Sequence, residues 1–205
     1  VREYRPSFFC FDVQVLGVPA VHIELSVPGR HNVYNALAAF ACATMSGCTA
    51  DECARGINAF PGAGRRFEFL GEVNGVTIAD DYAHHPTELE ATLRAAKEMD
   101  YKRVWAVFQP FTYTRTQMLL DDFARVLQIA DKVVMTEIMG SRERAEDYAV
   151  RTKDLAAKIP GSVWYDTFDE VVDHVMKNAR PGDLVITLGC GDIYKAAKKM
   201  VAWKA

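Results

Sequence analysis

Three short apolar runs, at 104–108, 133–135 and 184–188, constrain this chain more than any other feature. Each is continuous rather than alternating, which suits strands buried on both faces of a parallel sheet. A parallel strand reaches its neighbour only through a crossover long enough to hold a helix. Helical patterns fill the gaps, around 89–99, 117–130, 150–157, 168–177 and 193–201, and Thr167 with Glu170 forms a capping box at the head of one of them. From Arg66 onward the rhythm predicts an α/β fold: a Rossmann-like, three-layer domain with a mostly parallel sheet and right-handed crossovers.

The first sixty or so residues follow a different rhythm. Phe9, Phe11, Val13 and Val15 alternate, and Val21, Ile23 and Leu25 alternate again after Gly17-Val18-Pro19, which reads as a hairpin turn. A helix of small residues is expected from about 31 to 45, with Val33, Leu37, Phe40, Ala41 and Thr44 facing inward. Thr49 and Glu52 make a second capping box, for a helix ending near Phe60. Pro61-Gly62-Ala63-Gly64 is the best boundary, dividing an α+β segment at 1–62 from the α/β domain at 63–205. The chain opens on Val1, which reads as an internal start of a longer protein.

Charge and composition exclude several classes. A net charge of -3 argues against a general coat for nucleic acid. No apolar stretch is long enough to span a membrane and no signal sequence opens the chain, so neither nucleic acid nor membrane is expected as a partner. The five cysteines, Cys10, Cys42, Cys48, Cys53 and Cys190, are odd in number and lack CxxC spacing. They read as reduced, mostly buried thiols of a cytoplasmic protein and not as a zinc site.

Five segments could carry chemistry. Asp80-Asp81-Tyr82-Ala83-His84-His85-Pro86-Thr87-Glu88 follows a β-like run at 73–79 and enters a helix: Pro86 suits its first position, Glu88 its first turn, and Leu89, Leu93 and Ala96 its inner face. Titratable groups at the carboxyl end of a strand sit where open α/β sheets bind ligands, though a hydrated strand-to-helix loop has the same pattern. A metal-dependent hydrolase using Asp80, Asp81, His84 and His85 is disfavoured, because adjacent side chains diverge and no further histidines complete a ligand set. His31 and Asn35 share a helix face with Asn32 adjacent, and their mixed donors and acceptors suit an adenine edge; simple helix capping is the alternative. Arg65 and Arg66 follow a flexible turn and could stack on a base or neutralise phosphate, or merely be a solvated pair. Arg115, at a strand-to-helix junction where the helix dipole disfavours a cation, could grip a carboxylate in a bidentate fork. Gly189, Gly191 and Asp192 form a third such junction, with too few glycines for a dinucleotide fingerprint. The charged stretch 141–147 reads as an exposed, mobile loop.

Taken in order, GRHNVYNALAA, GAGRRFE, DDYAHHPTE, FQPFTYTRT and GCGDIY resemble the sequential landmarks of the Mur ligases, across essentially the whole chain. That family joins an amino acid to a nucleotide-linked muramoyl carboxylate. ATP phosphorylates the carboxylate, with Mg2+, and the amine attacks the acyl phosphate. DDYAHHPTE followed by FQPxxYTRT points to the alanine-adding member, whose substrates are UDP-N-acetylmuramic acid and L-alanine; a tripeptide-recycling member shares the HHPT-type turn. The resemblance implies ATP contacts from His31, Asn32, Asn35, Arg66 (ahead of Arg65) and Asp81. It implies substrate contacts from Tyr82, His84, His85, Arg115, Gly189, Gly191 and Asp192, with no residue acting as nucleophile or base. Two departures matter: no GxxxxGK[ST] loop occurs, and Phe111-Thr112 stands where the family often has histidine or arginine. The chain therefore resembles the C-terminal domain with the tail of the central ATPase domain. It is expected to lack most magnesium ligands, to be inactive alone, and to be open to self-association through its cut N-terminal region. A stand-alone nucleotide-binding module is the other class left open.

Overall fold

The computed structural model describes residues 9–203, with Phe9 and Pro19 through their backbones alone. The reading of Val1 as an internal start lies outside the described residues. The chain divides into two compact units between Ala63 and Gly64.

The first unit is a hairpin packed on two helices. Strands β1 (Phe9–Val15) and β2 (Val18–Leu25) pair antiparallel, with a bulge between Val13 and Gln14. Leu16 and Gly17, at φ 51° and 80°, form the turn. It lies earlier than expected: Val18 already pairs with Val15, because two successive positive-φ residues match the strand twist at that point. Val13, Ile23 and Leu25 are buried against α1 (Arg30–Met45) and α2 (Ala50–Asn58). The buried stripe of α1 is Ala36 and Phe40 flanked by Val33 and Ala43, while Leu37 and Ala41 face outward. A helix of alanines is nearly as apolar on every side, so its sequence did not mark the inner face. Helix α2 starts at Thr49 with the expected capping box to Glu52. The cysteine expectation is corrected: all five are free, but only Cys53 is buried, whereas Cys10, Cys42 and Cys48 are exposed and Cys190 is partly buried.

The second unit is a three-layer α/β domain. Its strands are β3 (Glu68–Val73), β4 (Val76–Asp81), β5 (Arg103–Phe108), β6 (Lys132–Thr136), β7 (Val163–Tyr165) and β8 (Asp183–Leu188). They form one sheet in the order β3-β4-β8-β5-β6-β7, parallel throughout except for the β3–β4 hairpin. Period-two alternation splits the core into two layers. Ala106, Phe108, Ile186 and Leu188 meet α3 (Pro86–Lys97), α5 (Leu120–Leu127) and α6 (Thr152–Ala156) on one face. Trp105, Val107 and Val185 meet α7 (Phe168–Asn178) and α8 (Tyr194–Val201) on the other.

Three details differ from the sequence reading. The run 73–79 is broken by Asn74-Gly75, both at positive φ, which turn β3 into β4 as a type I′ hairpin. The helix expected over 117–130 is two, α4 (Tyr113–Met118) and α5, broken at Leu119. Strand β7 has three residues at the sheet edge, too few to show alternation. The charged stretch is exposed as expected, yet Glu143 accepts the Thr114 amide at 3.0 Å and Ala145–Asp147 forms a 3-10 turn. Among the described residues no helix is long and apolar enough to cross a membrane.

Candidate functional site

Strands β4, β8 and β5 are neighbours, so the loops leaving their carboxyl ends converge on one edge of the sheet. The first loop is organised by its own acids. Asp81 is 6% exposed, and its carboxylate accepts the Phe67 and Ala83 amides, each at 2.7 Å. Burial pushes its pKa above the usual carboxylate value, against the pull of those two amides. Pro86 opens α3, and His85 caps it, its Nδ1 accepting the Thr87 amide at 3.3 Å. Glu88 accepts the His84 and His85 amides at 3.0 and 3.2 Å. Burial acts to raise Glu88, but the His84 amide, the His84 ring and the His85 amide outweigh it and hold the carboxyl low. The His84 Nδ1 lies 3.0 Å from the Tyr82 carbonyl, which can only accept, so the neutral ring carries its proton there and leaves Nε2 as an acceptor. The Tyr82 ring is exposed and meets His84 edge-on at 5.6 Å.

Arg65 and Arg66 are treated differently. Arg65 donates to Asp80 and to the Gly189 carbonyl, so its head is committed inside the protein. Arg66 is exposed, 5.6 Å from the Tyr82 ring centroid, and its charge is felt at both Asp81 and Glu88.

The Gly189–Gly191 turn depends on a residue that sequence reasoning passed over. Gln109 is buried; its backbone amide donates to the Leu188 carbonyl, and its Oε1 accepts the Asp192 amide at 3.0 Å. A Cβ at Gly189 would lie 2.9 Å from the Gln109 carbonyl oxygen, and one at Gly191 2.7 Å from Gln109 Oε1. Gly189 is thus required by close approach to backbone and by its φ of 144°, whereas a side chain at Gly191 would displace the ends of Gln109 and Met139. The FQP motif held this residue, but its partner lies 83 residues away and only the fold reveals it. The following loop runs beside 138–140: Phe111 bridges Met139, and Thr112, at φ 65°, donates its amide to the Met139 carbonyl.

Arg115 stands in the first turn of α4, whose cap is the Thr112 hydroxyl. Its Nη1 is buried without a hydrogen-bond partner, alone in this among the side-chain N and O atoms of the described residues. An unpaired buried donor on a cation is costly, so this nitrogen is poised for an anion. Its charge reaches Cys190: burial pushes that thiol up, while Arg115 and Arg65 pull it the other way. Arg66, Asp81, Tyr82, His84, His85, Arg115, Gly189, Gly191 and Asp192 therefore all lie along the carboxyl edge of one sheet.

His31, Asn32 and Asn35 belong to the first unit. Gly29, at φ 94°, is the N-cap of α1, and the His31 ring lies over it. Asn32 Nδ2 donates to the Pro28 carbonyl at 2.6 Å, and Asn35 Nδ2 donates to Asn32 Oδ1 at 3.0 Å. Both asparagines line a cleft of about 450 Å³ with the apolar side chains of Leu25, Val27, Ile57 and Phe60; His31 does not line it. An apolar slot with amide groups suits a flat heteroaromatic ring.

Asp80, Asp81, His84 and His85 do not converge as metal ligands. Among the described residues only Cys10, His22 and Glu24 do, exposed on the β1–β2 hairpin.

A mostly parallel sheet with arginines, a buried amide and a glycine turn along its carboxyl edge defines a Rossmann-like α/β domain whose candidate site is rich in hydrogen-bond donors. The family described as "Mur ligase, glutamate ligase domain" matches residues 65–191, and the chain belongs to the Mur ligase family. It is 43% identical to a UDP-N-acetylmuramate–L-alanine ligase of Acetivibrio thermocellus over 96% of this chain and 44% of that protein. Among solved structures it resembles a UDP-N-acetylmuramate-alanine ligase from Thermotoga maritima (27% identity, TM-score 0.74, 91% of this chain and 40% of that one). It also resembles a murein peptide ligase from Psychrobacter arcticus (27% identity, TM-score 0.64, 89% and 38%). The chain spans less than half the length of each of these proteins.

Proposed function

We propose that this chain serves an ATP-dependent ligase that joins L-alanine to UDP-N-acetylmuramic acid through an acyl phosphate, a step of peptidoglycan precursor synthesis in the bacterial cytoplasm. The observation that carries the reading is Arg115: a buried, unpartnered guanidinium nitrogen beside a glycine turn, suited to the carboxylate of an amino acid. Tyr82, His84 and His85 would present the muramoyl side, with His84 Nε2 as an acceptor, and Gly189, Gly191 and Asp192 would line the acceptor pocket. Arg66 would face the nucleotide. Asp81, whose oxygens already hold two amides, would fix the 65–67 segment and offer its remaining lone pairs to the ribose.

Residues 1–62 would be the tail of the central ATPase domain, with 63–205 the C-terminal domain. Asn32 and Asn35 would receive adenine in the apolar cleft, and His31 would flank it through its place over Gly29. The chain holds no GxxxxGK[ST] loop for the phosphates. Among the described residues the one converging donor set includes a thiol and an imidazole, which do not suit magnesium, a metal that favours all-oxygen ligands. The residues named would position the reactants and neutralise charge. Taken alone, residues 1–205 are expected to bind without turning over, and exposed Val15, Leu16 and Val18 at the hairpin tip favour self-association.

The test is phosphate release from ATP with UDP-N-acetylmuramic acid and L-alanine, by residues 1–205 and by the complete polypeptide that carries them. Turnover only by the complete polypeptide is expected. Turnover by residues 1–205 would remove the division of labour, and turnover of a murein tripeptide but not of L-alanine would move the protein to the recycling branch.

A further inference from the structure

We infer that Arg65 is a positioning residue that holds the acceptor-side glycine turn against the Tyr82 loop, an inference that rests on the ligase reading. Its backbone is the first sign. Arg65 sits at φ 57°, a conformation that costs a non-glycine residue energy and persists only where its surroundings fix it. They do so on both sides: its amide donates to Glu68 Oε2 at 2.7 Å, and its carbonyl accepts the Tyr82 amide at 2.7 Å.

The side chain then crosses the sheet edge. Nε donates to Asp80 Oδ2 at 2.9 Å, and Nη2 donates to the Gly189 carbonyl at 2.7 Å, 124 residues further along the chain. The guanidinium lies between two rings, 4.9 Å from the Tyr82 centroid and 4.7 Å from that of Tyr194. One planar cation therefore fixes the end of β4, the aromatic ring beside His84, the Gly189 turn and the first residue of α8. It does so from inside, in contrast to exposed Arg66. Lysine keeps the charge that Asp80 needs, but a single ammonium cannot span both acceptors or lie flat between two rings.

In the complete ligase, Arg65→Lys is expected to lower kcat/KM for the amino acid by about tenfold to a hundredfold through misplacement of the turn. KM for ATP should stay within about twofold of its original value. Arg65→Met with Asp80→Asn, which removes the buried charge together with its partner, should behave alike if the lysine variant folds poorly. A fall in thermal stability with amino-acid kcat/KM unchanged, or an equal rise in both KM values, would overturn the inference. A second measurement separates it from the ligase reading: the amide resonances of residues 189–192 in the ligand-free protein should move in Arg65→Lys and hold in Arg66→Lys. Unmoved amides in Arg65→Lys would refute the strap even in an active enzyme. If the unaltered enzyme ligates no alanine, the ligase reading fails while the amide comparison still decides.

Discussion

Asp183 and Arg115 are charged groups drawn out of water, and the fold treats them in opposite ways. Asp183 is 1% exposed and fully met: Arg103 forks onto it at 3.0 and 2.6 Å, the Trp105 indole donates at 2.9 Å, and the Arg180 amide closes the set. Burial pushes its carboxyl up, but the Arg103 fork and the two further donors outweigh it and leave the pKa below the ordinary 3.8. A depressed folded pKa contributes stability that is present above the unfolded value and lost as pH falls through the folded one. Acid unfolding below about pH 4 should therefore be blunter in Asp183→Asn, measured by urea midpoints across that range. Arg103→Leu should cost about 3 kcal/mol at neutral pH by leaving the buried carboxylate short of its cation. Arg115 has the reverse arrangement, with one nitrogen left unmet. Arg115→Leu in the complete ligase should raise KM for alanine by about tenfold or more while leaving KM for ATP near its original value, read by steady-state kinetics.

The helix starts show how local signals work. Thr49 with Glu52 and Thr167 with Glu170 form capping boxes that could be read from four residues each, because both partners sit within one turn. Helix α3 uses the same device with histidine as cap, and there it also tightens the candidate site: Glu88 holds the two histidine amides. Glu88→Ala should cost about 1 kcal/mol in chemical denaturation and speed amide exchange at His84 and His85. What escaped the sequence reading escaped for stated reasons. The type of each apolar residue in 73–79 suggested one strand, although Asn74-Gly75 was the hairpin signal that should have divided it. Gly75→Ala should then be costly, above about 1 kcal/mol, since φ there is 76° and the new Cβ would lie 2.9 Å from the Pro181 side chain. The inner face of α1 and the three-residue β7 left no periodic trace to read. In the candidate site, residues distinctive by chemical type, such as Arg115 and the two asparagines, could be singled out from the sequence as candidates, and the structure adds an unpartnered nitrogen at the first and an apolar cleft at the others. Gln109 and the inward head of Arg65 could not be singled out, because their partners are 83 and 124 residues distant.

The whole molecule divides at Ala63 and Gly64 into units with separate cores. The larger one contains both layers of a buried sheet, so residues 64–205 expressed alone should unfold in a single cooperative transition by calorimetry; a broad transition without a heat-absorption peak would show that its core depends on the hairpin unit. Its strand order has a consequence for how the protein is made. The centre of the sheet is β8, paired with β4 on one side and β5 on the other, and it begins only at Asp183. A chain emerging from the ribosome finishes β4 and β5 long before the strand that joins them exists. Until Leu188 has left the ribosome, the loops of the candidate site belong to two unconnected half-sheets with open inner edges. A nascent chain stalled in that interval presents bare strand edges to chaperones, and the loops of the candidate site are brought to one edge only when β8 pairs with both halves.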